Sequence, residues 1–279
     1  MSLFVQIAAY RDPELVPTLR SLFAQAKWPE QLSVGLCWQF ADGESLEEFA
    51  TDPRIRRVAV AAERSQGVCW ARRITQSLYR NETYTLQLDS HHRFARHWDE
   101  TLIKAHEHLK AQGVDRPLIT AYLPTYQPDQ PQEAWSTDPL RMNFGGFTHK
   151  GPWAVKPEQI PHVVEGELEP ARFVSGHFLF TEGAFCHRVP YDPQLYFFGE
   201  EQSLSVRAFC QGYQAFHPKF VCAWHFYGRL DQPKHWSDVA DWGVLNERSF
   251  GRYNALMAGA SDLGECGLGD VRSIEDFGS

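Results

Sequence analysis

The sequence predicts an α/β protein whose mostly parallel sheet is covered by helices on both faces. Segments typical of strands and of helices alternate from residue 3 to residue 123, with short turns between them, which is the pattern of repeated β-α units. With 43% hydrophobic and 22% charged residues, the composition is that of an ordinary folded protein, so a disordered or collagen-like chain is excluded.

The first β-α unit carries the clearest signals. Leu3 to Tyr10 is a short apolar run typical of a strand. Asp12, Pro13 and Glu14 then form a helix start, with Asp as the N-cap and Pro at the first helical position. Leucines recur at helical spacing after them, and the helix is expected to end near Trp28.

The remaining elements follow from the same patterns. Further strands are predicted at 32–40, 55–62, 83–88, 118–123, 173–180 and 215–224, and further helices at 67–79, 98–112 and 202–211. Residues 124–172, rich in Pro, Gln, Asp and Gly, show no regular pattern and are expected to be irregular. We expect one domain over 1–237, with 238–279 as its helical extension and a frayed, glycine-rich end.

Charge, hydropathy and cysteine spacing exclude several classes of protein. The net charge of −8 argues against a general nucleic-acid binder, which needs clustered Lys and Arg. No apolar run approaches the ~18 residues of a membrane span, and the first ten residues lack a basic leader, so a cytoplasmic protein is expected. The six cysteines are scattered without a Cys-x-x-Cys pair, which favours buried free thiols.

The segment after the strand at 83–88 carries the first candidate chemistry. Parallel sheets bind ligands beyond the carboxyl ends of their strands. Asp89 and His91 follow such an end, and a spacing of two residues points both side chains the same way. A carboxylate beside an imidazole suits a borderline divalent cation such as Mn²⁺. The alternative is a capping Asp and a surface His, and the adjacent His92 leaves the ligand assignment open by one residue.

Two later segments add candidates. Ser175-Gly176-His177 is followed by the paired acids Glu200 and Glu201, which could hydrogen-bond sugar hydroxyls. Their alternative role is to stabilise a helix N-terminus. His225 ends an apolar strand and could be a third metal ligand, although a single histidine there is more often an ordinary core or surface residue.

Taken in order, these segments resemble the GlcNAc-type glycosyltransferases, including the enzymes that add N-acetylglucosamine to hydroxyproline. More distantly they resemble the polypeptide N-acetylgalactosaminyltransferases. The segments are IAAYRDPE at 7–14, GVCWARR at 67–73, LDSHHRF at 88–94, SGH at 175–177, FGEEQSLSVR at 198–207 and HFYGR at 225–229. The resemblance implies a GT-A fold, a Rossmann-like sheet, and a metal-dependent retaining enzyme that moves a sugar from a UDP-sugar to a hydroxyl-bearing sugar or protein.

The resemblance also assigns residues. The expected metal ligands are Asp89, His91 and His225, with Mn²⁺ as the cation. The expected donor-binding residues are Ala9, Tyr10, Arg11, Arg64, Arg72, Asp89, Ser90, Gly176 and His177. Glu200, the weaker candidate Glu201, and Arg229 are the expected catalytic residues, and residues 124–172 are expected to shape the acceptor side.

The segment from Phe226 to Asp238 is expected to act as a mobile loop. Gly228 offers a hinge, and Arg229 and Lys234, together with His235, offer positive charge for a departing phosphate. The alternative is a static surface connection.

Three other functions remain open. A glycosyl-phosphate transferase or nucleotidyltransferase usually has a Gly-rich, Lys-containing loop near the first strand, which is missing here. The others are a nucleotide-sugar hydrolase, and a UDP-sugar-binding protein without catalysis. UDP release with and without acceptors separates these possibilities.

Overall fold

The protein is described by a computed structural model over residues 1–149, 152–161, 166–228 and 232–278. Its strands are β1 (Leu3–Tyr10), β2 (Leu32–Phe40), β3 (Ile55–Ala61), β4 (Tyr84–Leu88), β5 (His92–Phe94), β6 (Pro117–Thr120), β7 (Leu140–Phe147), β8 (Trp153–Gln159), β9 (Leu168–Ala171), β10 (Phe178–Glu182), β11 (Gln214–Pro218) and β12 (Ala223–His225). Its helices are α1 (Leu15–Gln25), α2 (Val68–Ser77), α3 (Trp98–Ala111), α4 (Phe185–Arg188), α5 (Glu200–Cys210), α6 (His235–Asp238), α7 (Trp242–Met257) and α8 (Ile274–Gly278).

A sheet with the strand order β3-β2-β1-β4-β10-β6-β11-β9 forms the centre of the molecule. β1, β2, β3 and β4 are mutually parallel neighbours, and β11 is parallel to β6. β10 lies antiparallel between β4 and β6, and β9 is antiparallel to β11. The predicted mostly parallel α/β sheet is confirmed, and antiparallel strands complete one side of it.

Alternate residues of β1 show that helices cover both faces of the sheet. Val5 and Ile7 are fully buried in the core cluster that also contains Leu19 of α1 and Leu102 of α3. Phe4 points the other way and contacts Tyr79, just beyond the end of α2. Burying a residue of this size stabilises the fold by roughly 1.5–3 kcal/mol, which explains why β1 is apolar on both faces.

The strand predicted at 173–180 begins only at Phe178, as β10, and the structure differs more strongly from the prediction in two other regions. Residues 124–172 are not uniformly irregular, because β7 and β8 form an antiparallel hairpin with a register shift between Phe144 and Gly146. The strand predicted at 215–224 is two strands in different sheets, β11 in the central sheet and β12 in a ribbon with β5. Pro218, which has no amide hydrogen for a ladder, ends the first of them.

The C-terminal region packs against the body of the protein. Phe277 of α8 is buried and lies in a cluster with Trp153 and Phe173. Arg207 of α5 donates a hydrogen bond to the backbone oxygen of Glu265, at 3.0 Å. These contacts join α8 and the segment around Glu265 to α5 and to the β7–β8 hairpin.

A glycine fixes the start of α2. Gly67 has φ of +99°, and a Cβ at this position would lie 2.2 Å from the backbone oxygen of Tyr196. The same oxygen accepts the amide hydrogen of Val68, at 2.9 Å. A larger residue at position 67 would push away the segment that leads into α5, which lines the site described below.

Two further predictions can be compared with the structure. All six cysteines are free and buried, as expected. Among the described residues, no helix combines the length and the apolar character that crossing a membrane would require.

Candidate active site

A cavity of about 490 Å³ opens at the carboxyl ends of β1, β2 and β4. Its walls come from seven parts of the chain: the end of β1, the end of β2, the turn into α2, the segment after β4, residues 176–177, residues 197–202 and residues 233–236. Tyr10, Arg72, Ser90, His91, Gly176, His177 and both acids at 200–201 are among the residues that line it. The sheet therefore brings most of the predicted site residues together.

Asp89, His91 and His225 converge at this cavity. One potential ligand atom from each lies within 4.8 Å of the others. The Nε2 atoms of His91 and His225 are 3.7 Å and 3.3 Å from Oδ2 of Asp89. Both histidines are buried, whereas 28% of the Asp89 side chain is exposed towards the cavity. The three side chains predicted as metal ligands are thus close enough to share one cation.

The ribbon of β5 and β12 explains how His225 reaches a motif that is far away in sequence. His225 lies opposite His92 in the antiparallel register. The amide of Phe226 also donates a hydrogen bond to the backbone oxygen of His91, at 3.1 Å. His92, the alternative ligand in the sequence, is instead fully buried behind the three converging side chains.

Asp12 belongs to the site, although the sequence suggested only a helix cap. Its Oδ2 accepts hydrogen bonds from Nδ1 of His91, at 2.8 Å, and from Oγ of Ser90, at 2.5 Å. Because a carboxylate oxygen only accepts, His91 carries its hydrogen on Nδ1 and leaves the lone pair of Nε2 facing the cavity. Asp12 thereby fixes the ring of His91 with Nε2 free, which is how outer carboxylates orient histidine ligands in metalloproteins.

Arg72 balances the charge of two acids. Its guanidinium lies 2.7 Å from Asp89 Oδ1 and 2.7 Å from Glu200 Oε1, and its side chain is only 3% exposed. Burial raises the pKa of Asp89, but the hydrogen bond with His225 and the charge of Arg72 outweigh it and hold that pKa well below its usual range. Asp89 is therefore ionised, with Oδ2 still directed at the two histidines.

The paired acids at the start of α5 have different environments. Glu200 is buried and accepts a hydrogen bond from the hydroxyl of Tyr191, at 3.1 Å, besides its ion pair with Arg72. Burial raises the pKa of Glu200, and Arg72 opposes the rise. Glu201 accepts the amide hydrogen of Gly176 at 2.8 Å, and burial raises its pKa to about 7. Glu200 is held in an ionic network, whereas Glu201 titrates near neutral pH.

Gly176 and His177 form the wall beside these acids. A Cβ at position 176 would lie 3.2 Å from Oε1 of Glu200, so glycine lets the loop approach the carboxylate closely. Both ring nitrogens of His177 have partners: Nδ1 lies 2.8 Å from Ser175 Oγ, and Nε2 accepts the amide hydrogen of Leu123, at 3.2 Å. His177 therefore shapes the cavity as a fixed, neutral ring.

The predicted nucleotide loop at 9–11 contacts the C-terminal segment. The hydroxyl of Tyr10 and NH1 of Arg11 lie 2.5 Å and 2.7 Å from Oδ2 of Asp238. Tyr10 lines the cavity, whereas Ala9 is buried in the sheet core and Arg11 is not among the lining residues. Sequence reasoning missed Asp238 because the contact spans 228 residues and leaves no local signal.

Gln39 and Ser65 are two more cavity residues that sequence reasoning missed. The hydroxyl of Ser65 donates to Oε1 of Gln39 at 2.6 Å, and Nε2 of Gln39 donates to the backbone oxygen of Ala9 at 3.3 Å. Both are buried polar residues; Gln39 lies near the end of β2, and Ser65 lies in the turn between β3 and α2. Arg64, one residue before Ser65, is exposed and is not a lining residue.

Residues 233–236 form the outer wall of the cavity. Lys234 and His235 both line it, and Trp236 packs against Phe197 with ring centroids 5.3 Å apart. Burial, with a smaller effect from Lys234, lowers the pKa of His235 to about 4. His235 is therefore neutral at pH 7 and adds no charge, unlike Lys234. Arg229 lies outside the described residues.

The donor set fits a divalent cation with mixed ligands. One carboxylate oxygen and two imidazole Nε2 atoms face a common point, and Arg72 and Asp12 fix the ionisation or orientation of two of them. Burial lowers the pKa of His225 to about 3, so this ring is neutral and able to coordinate. Oxygen and imidazole ligands together suit Mn²⁺ or a later transition metal better than Mg²⁺.

Comparison with solved structures identifies similar folds. GalNAc-T7 with UDP, GalNAc and Mn²⁺ gives a TM-score of 0.61 at 17% identity, over 99% of this chain and 53% of that chain. TarS 1–349 from S. aureus with UDP-GlcNAc gives 0.50 at 13% identity, over 85% and 61%. This chain thus spans between half and two thirds of the length of these two proteins. At such identities the likeness shows the fold.

Comparison with family models gives a match over most of the sequence. A search of curated protein sequences found no match. The model described as glycosyltransferase (GlcNAc), however, matches residues 2–47 and 42–266. This chain therefore belongs to the glycosyltransferase (GlcNAc) family.

Proposed function

We propose that this protein is a metal-dependent retaining glycosyltransferase that moves N-acetylglucosamine from UDP-GlcNAc to a hydroxyl acceptor. One observation carries the proposal. Asp89, His91 and His225 converge within 4.8 Å at a cavity that Glu200 and Glu201 also line. A cation site beside acidic side chains is what the transfer of a sugar from a diphosphate requires, because the phosphate charge and the sugar hydroxyls must be bound together.

The donor class rests on the complexes of similar folds. The GalNAc-T7 structure contains UDP, GalNAc and Mn²⁺, and one TarS structure contains UDP-GlcNAc. Both sugars are N-acetylhexosamines on, or beside, the same nucleotide. The family description, glycosyltransferase (GlcNAc), favours N-acetylglucosamine for this chain.

Asp89 Oδ2 and the Nε2 atoms of His91 and His225 would hold the cation. A bound Mn²⁺ would supply positive charge to the diphosphate and so stabilise UDP as a leaving group. Arg72 keeps Asp89 ionised for this purpose and is itself fully engaged by Asp89 and Glu200. We therefore assign Arg72 a supporting role at the acids and not a direct contact with the nucleotide.

Among the positively charged side chains that the structure describes, Lys234 is best placed to stabilise the leaving group. It lines the cavity on the wall opposite the sheet, within the segment that Asp238 ties to Tyr10 and Arg11. A lysine on a closing wall adds charge where the phosphate departs.

The environments of the two acids fit a retaining transfer that uses no enzyme nucleophile. Glu200 is fixed by Arg72 and Tyr191, so it can accept a hydrogen bond from a sugar hydroxyl but is poorly placed to attack a carbon atom. The acceptor hydroxyl then attacks from the side on which UDP leaves, and a phosphate oxygen takes its proton. Glu201 orients the acceptor or the sugar. With a pKa near 7 it is also the acid that an inverting enzyme would use as a base.

The β7–β8 hairpin supports an acceptor role for residues 124–172. Gln202, which lines the cavity, donates a hydrogen bond to the backbone oxygen of Trp153 in β8, at 2.5 Å. The hairpin thus adjoins the wall that carries the two acids. A hydroxyl presented from this side would reach the sugar between Glu201 and the bound diphosphate.

The deciding experiment measures UDP release from a panel of UDP-sugars with Mn²⁺, with and without sugar and peptide acceptors. We expect the highest rate with UDP-GlcNAc plus an acceptor, loss of release in EDTA, and a product whose anomeric configuration matches the donor by NMR. Equal release without any acceptor would indicate a hydrolase. UDP-sugar binding without turnover would indicate a binding protein, and an inverted product would make Glu201 the base.

A further inference from the structure

His92 and His225 contain two buried nitrogen atoms that complement each other. Nε2 of His92 and Nδ1 of His225 are both buried and have no hydrogen-bond partner. The two rings belong to opposed residues of the β5–β12 ribbon, with centroids 4.9 Å apart and planes at 68°. An unpaired buried polar atom costs roughly 1–3 kcal/mol, so two of them on neighbouring rings call for an explanation.

The hydrogen positions on both rings follow from their other contacts. Nδ1 of His92 lies 3.1 Å from the backbone oxygen of Asp89, which only accepts, so His92 carries its hydrogen on Nδ1 and has a lone pair on Nε2. Nε2 of His225 lies 3.3 Å from Oδ2 of the ionised Asp89, so its hydrogen is on Nε2 and its lone pair on Nδ1. Both unpaired atoms then carry lone pairs, so neither ring donates a hydrogen bond to the other.

Coordination of a cation through Nε2 of His225 reverses the tautomer of this ring. The lone pair must then be on Nε2 and the hydrogen on Nδ1, without any change in total charge. We propose that His92 is the positioning residue that accepts this hydrogen, through its Nε2, and so fixes His225 in its metal-binding tautomer. The inference rests on the metal site of the proposed function.

The other histidine ligand shows the same arrangement already formed. His91 donates from Nδ1 to Asp12 and leaves Nε2 for the cation. Each ligand histidine then has an outer acceptor, Asp12 for His91 and His92 for His225. Of the adjacent pair, His91 is thus a ligand itself, and His92 is the hydrogen-bond acceptor for the other ligand, His225.

Three variants separate this role from simple packing. His92→Phe fills the same space without an acceptor. His92→Asn can still donate to the Asp89 oxygen but places no atom at the Nε2 position, whereas His92→Gln places an amide oxygen near that position. By analogy with other outer ligands, we expect Phe and Asn to weaken Mn²⁺ binding by about 10–100-fold and Gln by about threefold or less. Affinity is measured by calorimetry in the absence of sugar donor, after far-UV circular dichroism and thermal unfolding confirm the fold.

NMR of the unsubstituted protein provides a test that does not depend on variant folding. With ¹⁵N-labelled histidine and Zn²⁺ as a diamagnetic probe, long-range ¹H–¹⁵N spectra should show His225 with its proton on Nε2 before Zn²⁺ and on Nδ1 after it. The Nδ1 proton should shift in His92→Gln and exchange rapidly in His92→Phe.

Two results would overturn the inference: wild-type Mn²⁺ affinity in a folded His92→Phe protein, or a Zn²⁺-loaded His225 without a proton on Nδ1. Failure of the wild-type protein to bind Mn²⁺ or Zn²⁺ at all would instead refute the metal site itself. The two failures are therefore distinguishable.

Discussion

Tyr10 and Asp238 are joined by a hydrogen bond of 2.5 Å that links the end of the first strand to helix α6. Arg11 pairs with the same carboxylate. The hydrogen bond from Tyr10 is the largest influence on Asp238 and lowers its pKa, so the acid is ionised. These contacts hold residues 233–236 over the cavity. We refer to Tyr10, Arg11 and Asp238 together as the latch.

Breaking the latch should weaken donor binding more than it slows the transfer step. Asp238→Ala removes the acceptor of both contacts, worth roughly 1 kcal/mol for a partly exposed pair. We expect KM for the UDP-sugar to rise about fivefold, with a smaller change in kcat, and hydrogen exchange in 232–238 to accelerate. The exposed neighbour Asp241 supplies the control, Asp241→Ala. If UDP with Mn²⁺ does not slow exchange in this segment of the wild-type protein, it is a static wall.

Removal of Arg72 should destabilise the fold strongly. Arg72→Ala leaves Asp89 and Glu200 buried without their cation, a loss of about 3–5 kcal/mol for a buried pair. Urea unfolding measures the change. The matched control is Arg73→Ala, because Arg73 pairs at the surface with Glu265 and should contribute at most about 1 kcal/mol. Glu200→Gln in the Arg72→Ala background should restore part of the loss, and equal effects at positions 72 and 73 would contradict this account.

Loss of the ligand carboxylate should abolish metal-dependent turnover without unfolding the protein. Asp89→Asn keeps the shape of the side chain but removes the charge that Arg72 and the cation share. We expect the rate of UDP release to fall by a factor of about 10³ or more, as in other enzymes that lose a group stabilising transition-state charge. We also expect that Mn²⁺ no longer raises the melting temperature. Asp42→Asn, at an exposed site, is the control. Full activity of Asp89→Asn would refute the assigned ligand set.

Glu201 should make stability depend on pH in a defined direction. Burial raises its folded pKa to about 7, so between pH 4.5 and 7 the folded state holds a proton that the unfolded chain has lost. Stability from this group is therefore present at low pH and decreases as pH rises through about 7. Unfolding free energies of wild type and Glu201→Gln, measured from pH 5 to 8, should diverge in this sense. Parallel curves would show that Glu201 has an ordinary pKa.

UDP should stabilise the protein only when a cation is present. Ligand binding to the folded state raises the melting temperature by linkage, and the diphosphate needs the cation held by Asp89 and the two histidines. We expect a clear shift with UDP plus Mn²⁺, little shift with UDP in EDTA, and smaller shifts with ADP or GDP. Equal shifts with all three nucleotides would argue against a site that recognises uridine.

The sequence allowed the prediction of those parts of the site that depend on local order. Asp89 and His91 follow a buried strand, and their spacing alone places both at the carboxyl edge of the sheet. Asp12 could not be assigned in this way, because a residue before Pro13 has the local signature of a helix cap, and only the tertiary contact shows its role. Asp238 is beyond the reach of any local pattern for the same reason.

The errors in the fold have physical causes of the same kind. The β7–β8 hairpin was missed because Gly145 and Gly146, which accompany its register shift, interrupt the alternation that marks a strand. β11 and β12 were merged because both are apolar, and hydropathy does not show that a chain leaves one sheet for another. Strand partners, unlike strand character, depend on residues far away in sequence.

The pairing of β5 with β12 also determines when the proposed metal site can be completed during synthesis. Asp89 precedes His225 by 136 residues, so a growing chain carries an incomplete ligand set for roughly ten seconds at ordinary rates of translation. Only a chain that has been made past β12, and has paired it with β5, can capture a cation with all three side chains. Metal content in purified material is thus a measure of complete synthesis and folding, and fragments that end before residue 225 should be recovered without it.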